Sequence, residues 1–238
     1  MLTIAIDTAT DRCTVAASNG ARTVARHLDG ARRHAAALPG LLDALLVELG
    51  ATPRDITTIL TADGPGSFTG LRVGATVANA LAWRTDVQWR TAPSLLVRAM
   101  GHVPSQGGVV LALADALRGE LYAGCWRFTA EGVETLVSPR TVRPVDLGLV
   151  GPVDLVVGTV PPALLDAVRA ATGREPIVGE AALPDARHLL ALDQRTGGTS
   201  AVAEPGRWEP TYGRPAEAQT VWEAKHGVPL PHPTDRLG

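Results

Sequence analysis

The chain has 238 residues, of which 45% are hydrophobic, enough to bury one sizeable core or two small ones. Its 22 basic and 24 acidic residues leave a formal net charge of −2, so no overall basic field is present to hold nucleic acid directly. Cys13 and Cys125, two cysteines far apart in sequence, suggest no disulfide framework or zinc knuckle, and a single Lys, Lys225, stands among the basic residues.

The first residues reach Asp7 without the basic start of a signal peptide, and no apolar run approaches the ~20 residues of a membrane helix. A cytoplasmic α/β protein without membrane contact is expected. Residues Leu2–Ile6 are rich in β-formers and lead into the polar turn from Asp7 to Asp11. Cys13–Ala17 and Arg22–Arg26 flank Ser18-Asn19-Gly20, a strong hairpin signal. The opening is therefore an antiparallel three-strand meander and not a βαβ unit. A helix is predicted over 31–49, where Leu38, Leu41, Leu42, Leu45, Leu46 and Leu49 share one face and Gly50 ends the run. Thr52-Pro53-Arg54-Asp55 has the form of a capped short turn, and Ile56–Ala62 that of a buried strand.

The stretch Gly64-Pro65-Gly66-Ser67-Phe68-Thr69-Gly70-Leu71-Arg72-Val73-Gly74 then carries the chain from that strand into a helix reaching residue 83. Ser67 can cap the helix, whose free backbone N–H groups suit an anion or a closely approaching chain. No Gly-Lys-Ser/Thr follows, so this is no Walker A loop. A structural turn is the commoner origin of such a pattern. The candidates for contact with a phosphate or a metal–phosphate are Asp7, Gly64, Gly66 and Ser67. Gly70, Gly74, Ala78 and Ala82, each four apart, leave a shallow groove for another element.

Val87–Arg90 is a short strand, and Pro93-Ser94 opens a helix through Met100. Pro, Ser and Gly around 102–108 mark a crossing between domains. This divides the chain into an N-terminal lobe, 1–103, a C-terminal lobe, 104–215, and a tail, 216–238, whose prolines and few apolar residues predict disorder. In the second lobe, strands are expected at Val109–Ala114, Glu120–Phe128, Val133–Val137, Val153–Val157 and Pro176–Val178. Helices are expected near Val145-Asp146 and over Pro161–Thr172 and Pro184–Leu192, with an anchored segment at Trp208–Tyr212. Asp115, Arg118, Glu120 and Tyr122 form a polar cluster at a strand-to-strand turn, and His34 follows Arg32 and Arg33. No Ser has a paired His and Asp, and no His/Cys group has metal spacing, so no catalytic or metal-binding residue is assigned.

Ile4-Ala5-Ile6-Asp7-Thr8-Ala9-Thr10, the Gly64–Gly74 run, Asp115-Ala116-Leu117-Arg118-Gly119-Glu120-Leu121-Tyr122 and Glu209-Pro210-Thr211-Tyr212-Gly213-Arg214 together resemble the bacterial TsaB family of tRNA threonylcarbamoyladenosine biosynthesis proteins. The resemblance runs from about residue 2 to about residue 215, and its most specific part is the complete Gly-Pro-Gly-Ser-Phe-Thr-Gly-Leu-Arg-x-Gly run. It implies an actin-like, sugar-kinase-like (ASKHA) α/β fold of two lobes. It further implies a non-catalytic dimerisation or scaffold subunit, which places a threonylcarbamoyl group on the adenosine beside the tRNA anticodon together with a TsaD-like catalytic subunit and a TsaE-like ATPase. ATP and a metal ion would be used by those partners and not bound by this chain alone. Contact with tRNA would come only through the complex, and a homodimer could form in the partners' absence. The expected partner interface lies on the two N-lobe helices, at His34, Leu38, Leu42, Leu45, Phe68, Gly70, Leu71, Gly74 and Ala78.

TsaD-like chains follow the shared turn with a His-x-x-x-His metal pair, and the equivalent places here are Ser94 and Arg98. Asp115-Ala116-Leu117-Arg118-Gly119 also differs from the Asp-x-Gly-Gly turn of actin-like ATPases. Three further departures are Leu96 for a usual Glu, Leu117 for a usual Arg and Gly213 for a usual Leu. The alternative reading from another class is a small-molecule kinase or ATPase of the actin-like superfamily, using Asp7 and the Gly64–Gly74 turn.

Overall fold

Two mixed β-sheets organise the chain in a computed structural model that describes residues 1–30, 33–83, 87–213 and 225–227. The opening meander is present as β1 (Leu2–Asp7), β2 (Arg12–Ser18) and β3 (Thr23–Asp29), paired antiparallel in that order. Asn19 fixes the β2–β3 turn, its side-chain oxygen accepting from the backbone N–H groups of Ala21 and Arg22 at 3.0 and 2.8 Å. Strand β4 (Ile56–Ala62) then lies parallel to β1, and β5 (Gln88–Ala92) parallel to β4.

The helices α1 (His34–Leu49) and α2 (Phe68–Ala82) cover one face of this sheet. Leu38, Leu42, Leu45 and Leu46 of α1 pack with Ile4, Ile6, Val15 and Ile59 of the strands and with Ala78 of α2. The alternation of side chains along β1 sends Ile4 and Ile6 into that cluster and the small Ala5 to the opposite face. There Ala5, Ala16 and Leu60 meet α3 (Ser94–Met100), α5 (Arg187–Asp193) and residues of the second sheet such as Val110 and Trp126. This shared cluster joins the lobes, and small side chains on β1 and β2 let the layers approach closely.

The second sheet repeats the plan. Strands β6 (Gly108–Asp115), β7 (Leu121–Phe128) and β8 (Val133–Val142) make an antiparallel meander, and β9 (Leu155–Thr159) lies parallel to β6. Its outer face carries α4 (Leu165–Thr172), with Val168 packed among Leu111, Leu113 and Val156. A meander followed by a strand parallel to its first member, twice over, is the two-lobed ASKHA arrangement.

The crossing expected at 102–108 lies between α3 and β6. Beyond β9 the chain returns to the first lobe. Helix α5 packs against β1, β2 and β4, and β10 (Ser200–Ala201) pairs with β5 at the sheet edge, so residues 104–215 contribute to both sheets. Several local expectations change. Pro176–Val178 is reduced to a single bridge between Ile177 and Val157. The 161–172 helix divides into a 3-10 turn, Pro162–Leu164, and α4. Helix α5 starts at Arg187 and not at Pro184, with Asp185 Oδ1 accepting from the Arg187 N–H at 2.8 Å. Strand β8 runs five residues past the expected Val137 because its pairing with β7 continues to Val142. Ala31 and Arg32 of the expected first helix, Arg214, and the 216–238 tail apart from 225–227 lie outside the described residues.

Leu45 is fully buried between α1 and the sheet. Leu45→Ala is expected to cost about 2–5 kcal/mol of unfolding free energy. In urea this appears as a lower midpoint with an unchanged slope.

Candidate functional site

The glycine turn is built by backbone meeting backbone. Ser67 N–H donates to Ala9 O at 2.7 Å, and Ser67 Oγ accepts from Gly70 N–H at 3.2 Å, capping α2. On the other side, Gly64 N–H donates to Ser94 Oγ at 2.9 Å and Gly64 O accepts from Ser94 N–H at 2.8 Å. A Cβ at Gly64 would fall 2.0 Å from Thr211 O, and one at Gly66 would fall 2.3 Å from Ala9 O. Glycine is required at both places because another stretch of main chain occupies the space a side chain would need.

The segment pressed against Gly64 is the one expected to be anchored. Thr211 N–H donates to Asp63 O at 2.7 Å, and the Trp208 ring stands edge-on to Trp89 with centroids 4.6 Å apart. Tyr212 lies 4.5 Å from Phe68, while Arg72 donates from Nε to Tyr212 Oη at 3.0 Å with its guanidinium 4.2 Å over the Phe68 ring. Gly213, at φ +77°, lies where a Cβ would meet Tyr122 at 2.6 Å and Pro65 at 2.8 Å, so the family's usual Leu would not fit this packing unchanged. Leu96, in place of a usual Glu, is buried in the shared core, and Leu117 is exposed at a left-handed φ of 63°.

Behind the turn, a cleft of about 590 Å³ opens between the lobes, lined among others by Asp7, Ser67, Ser94, Arg98, Asp115 and Thr159. Asp7 is completely buried at the end of β1. Its Oδ1 accepts from Ala9 N–H at 2.9 Å, while Oδ2 has no partner among the described residues. Burial raises its carboxyl to about 6, opposed by the Ala9 N–H and by the positive charge of Arg98. Arg98 reaches in from α3 and donates from Nη1 to Leu113 O and, at 3.2 Å, to Thr159 Oγ1, tying the first lobe to two strands of the second. Burial lowers its pKa to about 10, with Asp7 opposing, so it remains a cation at neutral pH. Asp115 Oδ1 accepts from Leu117 N–H at 2.8 Å and shapes the turn below. Arg118, of the polar cluster expected at this turn, makes no ion pair among the described residues.

The structure brings Asp7, Gly66 and Ser67 together along this cleft, whereas Gly64 is covered by Thr211. The expected interface residues need correction. His34, Leu38, Leu42, Leu45, Gly70, Leu71, Gly74 and Ala78 are all buried within this chain, and only Phe68 is exposed. His34 Nε2 is bound to Thr10 O at 2.9 Å, and a Cβ at Gly74 would fall 2.5 Å from Thr8 Oγ1. The leucine stripe and the small-residue row therefore face this chain's own sheet, because a helix face that can bury apolar surface does so first in its own fold. In the sequence, Arg98 stands out only as a missing histidine. The signal for more was an Arg inside Ser94–Met100, a helix that is otherwise almost wholly apolar.

Asp63 is also desolvated, its carboxyl raised to about 6 with the Thr91 hydroxyl opposing. A carboxyl raised on folding contributes stability that is present below its unfolded value of 3.8 and lost as pH rises through 6. Asp63→Asn removes the group penalised at neutral pH. It should therefore raise unfolding free energy by about 3 kcal/mol at pH 7.5, with the gain disappearing below pH 4, as read by urea titrations at the two pH values.

Residues 28–149, a little over half of the chain, match the family model described as TsaD, tRNA N6-adenosine threonylcarbamoyltransferase. The tRNA threonylcarbamoyladenosine biosynthesis protein TsaB of Bacillus subtilis is 28% identical over 151 residues, covering 61% of this chain and 64% of the relative. TsaB of Escherichia coli is 33% identical over 153 residues, covering 60% and 65%. The chain thus spans just under two thirds of the length of these curated relatives. A Pseudomonas aeruginosa crystal structure, of an uncharacterized protein with similarity to peptidase YEAZ, superposes with a TM-score of 0.73 at 25% identity, covering 90% of this chain and 99% of that one. The structure titled YeaZ from Pseudomonas aeruginosa has the same fold, at a TM-score of 0.71 and 24% identity, covering 89% and 99%. The chain belongs to the tRNA N6-adenosine threonylcarbamoyltransferase family, in its TsaB (YeaZ) branch.

Proposed function

We propose that this chain is a non-catalytic scaffold subunit in threonylcarbamoylation of the adenosine beside the tRNA anticodon, acting with a TsaD-like catalytic subunit and a TsaE-like ATPase. The observation that carries this reading is the use made of Ser94 and Arg98. The shared glycine turn and helix are complete, but the two positions that would hold metal-binding imidazoles are committed to hydrogen bonds within the chain. ATP and a metal ion belong to the partner subunits in this reading, and tRNA is met only through the assembled complex in the cytoplasm. A kinase reading is disfavoured because a metal–nucleotide against Asp7 would bring its cation toward the Arg98 guanidinium.

The surface offered to a partner, or to a second copy of the chain when alone, is the outward side of α1 and α2. Ala35, Phe68, Thr69, Arg72, Val73, Thr76 and Val77 line a shallow groove there, framed by the Arg72–Phe68–Tyr212 stack. Its mixture of aliphatic, aromatic and Arg side chains has the character of an interface core. Such an interface would bury about 1,200–2,000 Å² in total.

Reconstitution tests the reading. With its own TsaD and TsaE, threonylcarbamoyl transfer to tRNA is expected only when this chain is added; equal transfer without it would refute the subunit role. Thr76 is exposed, and among the described residues its Oγ1 bonds only back to Arg72 O in its own helix at 2.8 Å. Thr76→Glu should leave the melting temperature within a few degrees yet weaken binding to the TsaD-like subunit about tenfold or more, because a carboxylate would be desolvated at the contact. Unchanged affinity in a titration of the two purified subunits would move the interface elsewhere.

A further inference from the structure

We propose that the inter-lobe cleft is a binding site for a free α-amino acid, its carboxylate held by Arg98 and its ammonium by Asp7. Both hydrogen bonds of Arg98 leave from Nη1, and Nε has no partner among the described residues. The side-on edge formed by Nε and Nη2 is thus uncommitted, and that edge is the one that grips a carboxylate in two parallel hydrogen bonds. Asp7 is among the residues lining the cleft, and its Oδ2 is equally without a partner among the described residues, although the carboxyl is fully buried.

These two groups feel each other's charge, yet no hydrogen bond joins them. Buried charges are ordinarily paired and hydrogen-bonded, because leaving either one open costs several kcal/mol. A lone anion would satisfy Arg98 and repel Asp7, and a lone cation would do the reverse. A zwitterion laid between them satisfies both at once and leaves the net charge of the cleft unchanged. In an α-amino acid, one carbon separates the ammonium from the carboxylate, so one small molecule carries both charges. Ala9, Pro65, Leu95, Ala116 and Leu183 supply an aliphatic wall for the side chain, and a cleft of about 590 Å³ has room for it. Ser94, whose Oγ already accepts from Gly64 N–H, retains its hydroxyl proton as a further donor toward the cleft.

The site is tested by calorimetric titration of the 238-residue chain with glycine, L-alanine, L-threonine and L-leucine, beside propionate, ethylammonium and inorganic phosphate. At least one amino acid is expected to bind about tenfold or more tightly than propionate or ethylammonium, since two charge-assisted contacts replace one. Asp7→Asn, nearly the same shape, should weaken that amino acid about tenfold while leaving propionate unchanged or improved. Arg98→Lys should weaken both, as an ammonium cannot offer the two-pronged edge. Circular dichroism establishes that each variant is folded. If Arg98→Lys is not, the Asp7→Asn comparison between amino acid and propionate decides. Absence of heat with every amino acid at millimolar concentration overturns the proposal. So does phosphate binding more tightly than any amino acid, or Asp7→Asn binding amino acids as the unaltered chain does. The readout is binding by the isolated chain, so its failure leaves the scaffold role untouched.

Discussion

The structure depends on a junction where three stretches of main chain meet the Gly64–Ser67 turn. Ala9 accepts from Ser67 on one side, Ser94 exchanges hydrogen bonds with Gly64 on another, and Thr211 lies directly against Gly64 while donating to Asp63. Three different elements are thereby fixed relative to α2, namely the end of β1, the start of α3 and the closing aromatic segment. Buried backbone groups must find partners, and here they find them across large sequence separations. The free N–H groups of a helix start invite an anion in isolation. At this helix start, main chain already occupies much of the approach.

A second constraint is electrostatic. Arg98 is carried on a helix of the first lobe and hydrogen-bonds a carbonyl of β6 and a hydroxyl of β9 in the second, while its charge faces Asp7. Bringing a guanidinium into the interior is costly, and partial pairing recovers only part of that cost. An aliphatic residue of similar size would pack there without that penalty, so the pair is not explained by stability alone. Ser94 is a hydroxyl that braces the turn, and Arg98 is a cation that spans the lobes.

The surface of the first lobe follows from how its helices use their faces. Leu38, Leu42 and Leu45 of α1 and Gly74 and Ala78 of α2 are consumed by the sheet. What remains outside is a shorter strip around Phe68, Arg72, Val73 and Thr76, ordered at one end by Tyr212 from the far part of the chain. The outward patch is thus assembled from two distant segments. Its aromatic end is continuous with the strap that closes over the glycine turn, and through Gly213 that strap reaches Pro65 and Tyr122 of the cleft.

The sequence by itself determined the local plan. Alternating β-formers around Asn19-Gly20 make a meander, leucines at helical spacing make α1, and Gly64 to Gly74 make a strand-to-helix turn, because each rests on interactions within a few residues. The order of elements was legible for the same reason, as was the family pattern. Less visible were the direction in which the helix faces turn and the return of residues 187–201 to the first lobe. The two-residue edge strand β10 and the pairing of Trp208 with Trp89 were hidden too. These depend on which distant surfaces meet, and periodicity is blind to that. Helical spacing shows that Leu38 and Leu42 share a face; it cannot say whether that face covers the chain's own sheet or a partner. Nor could it place Arg98 beside Asp7, since 91 positions separate them and only the packing of α3 between the two sheets brings their charges together. Tertiary structure decided the site, because burial and long-range backbone contact gave an ordinary aspartate and an ordinary arginine their unusual surroundings.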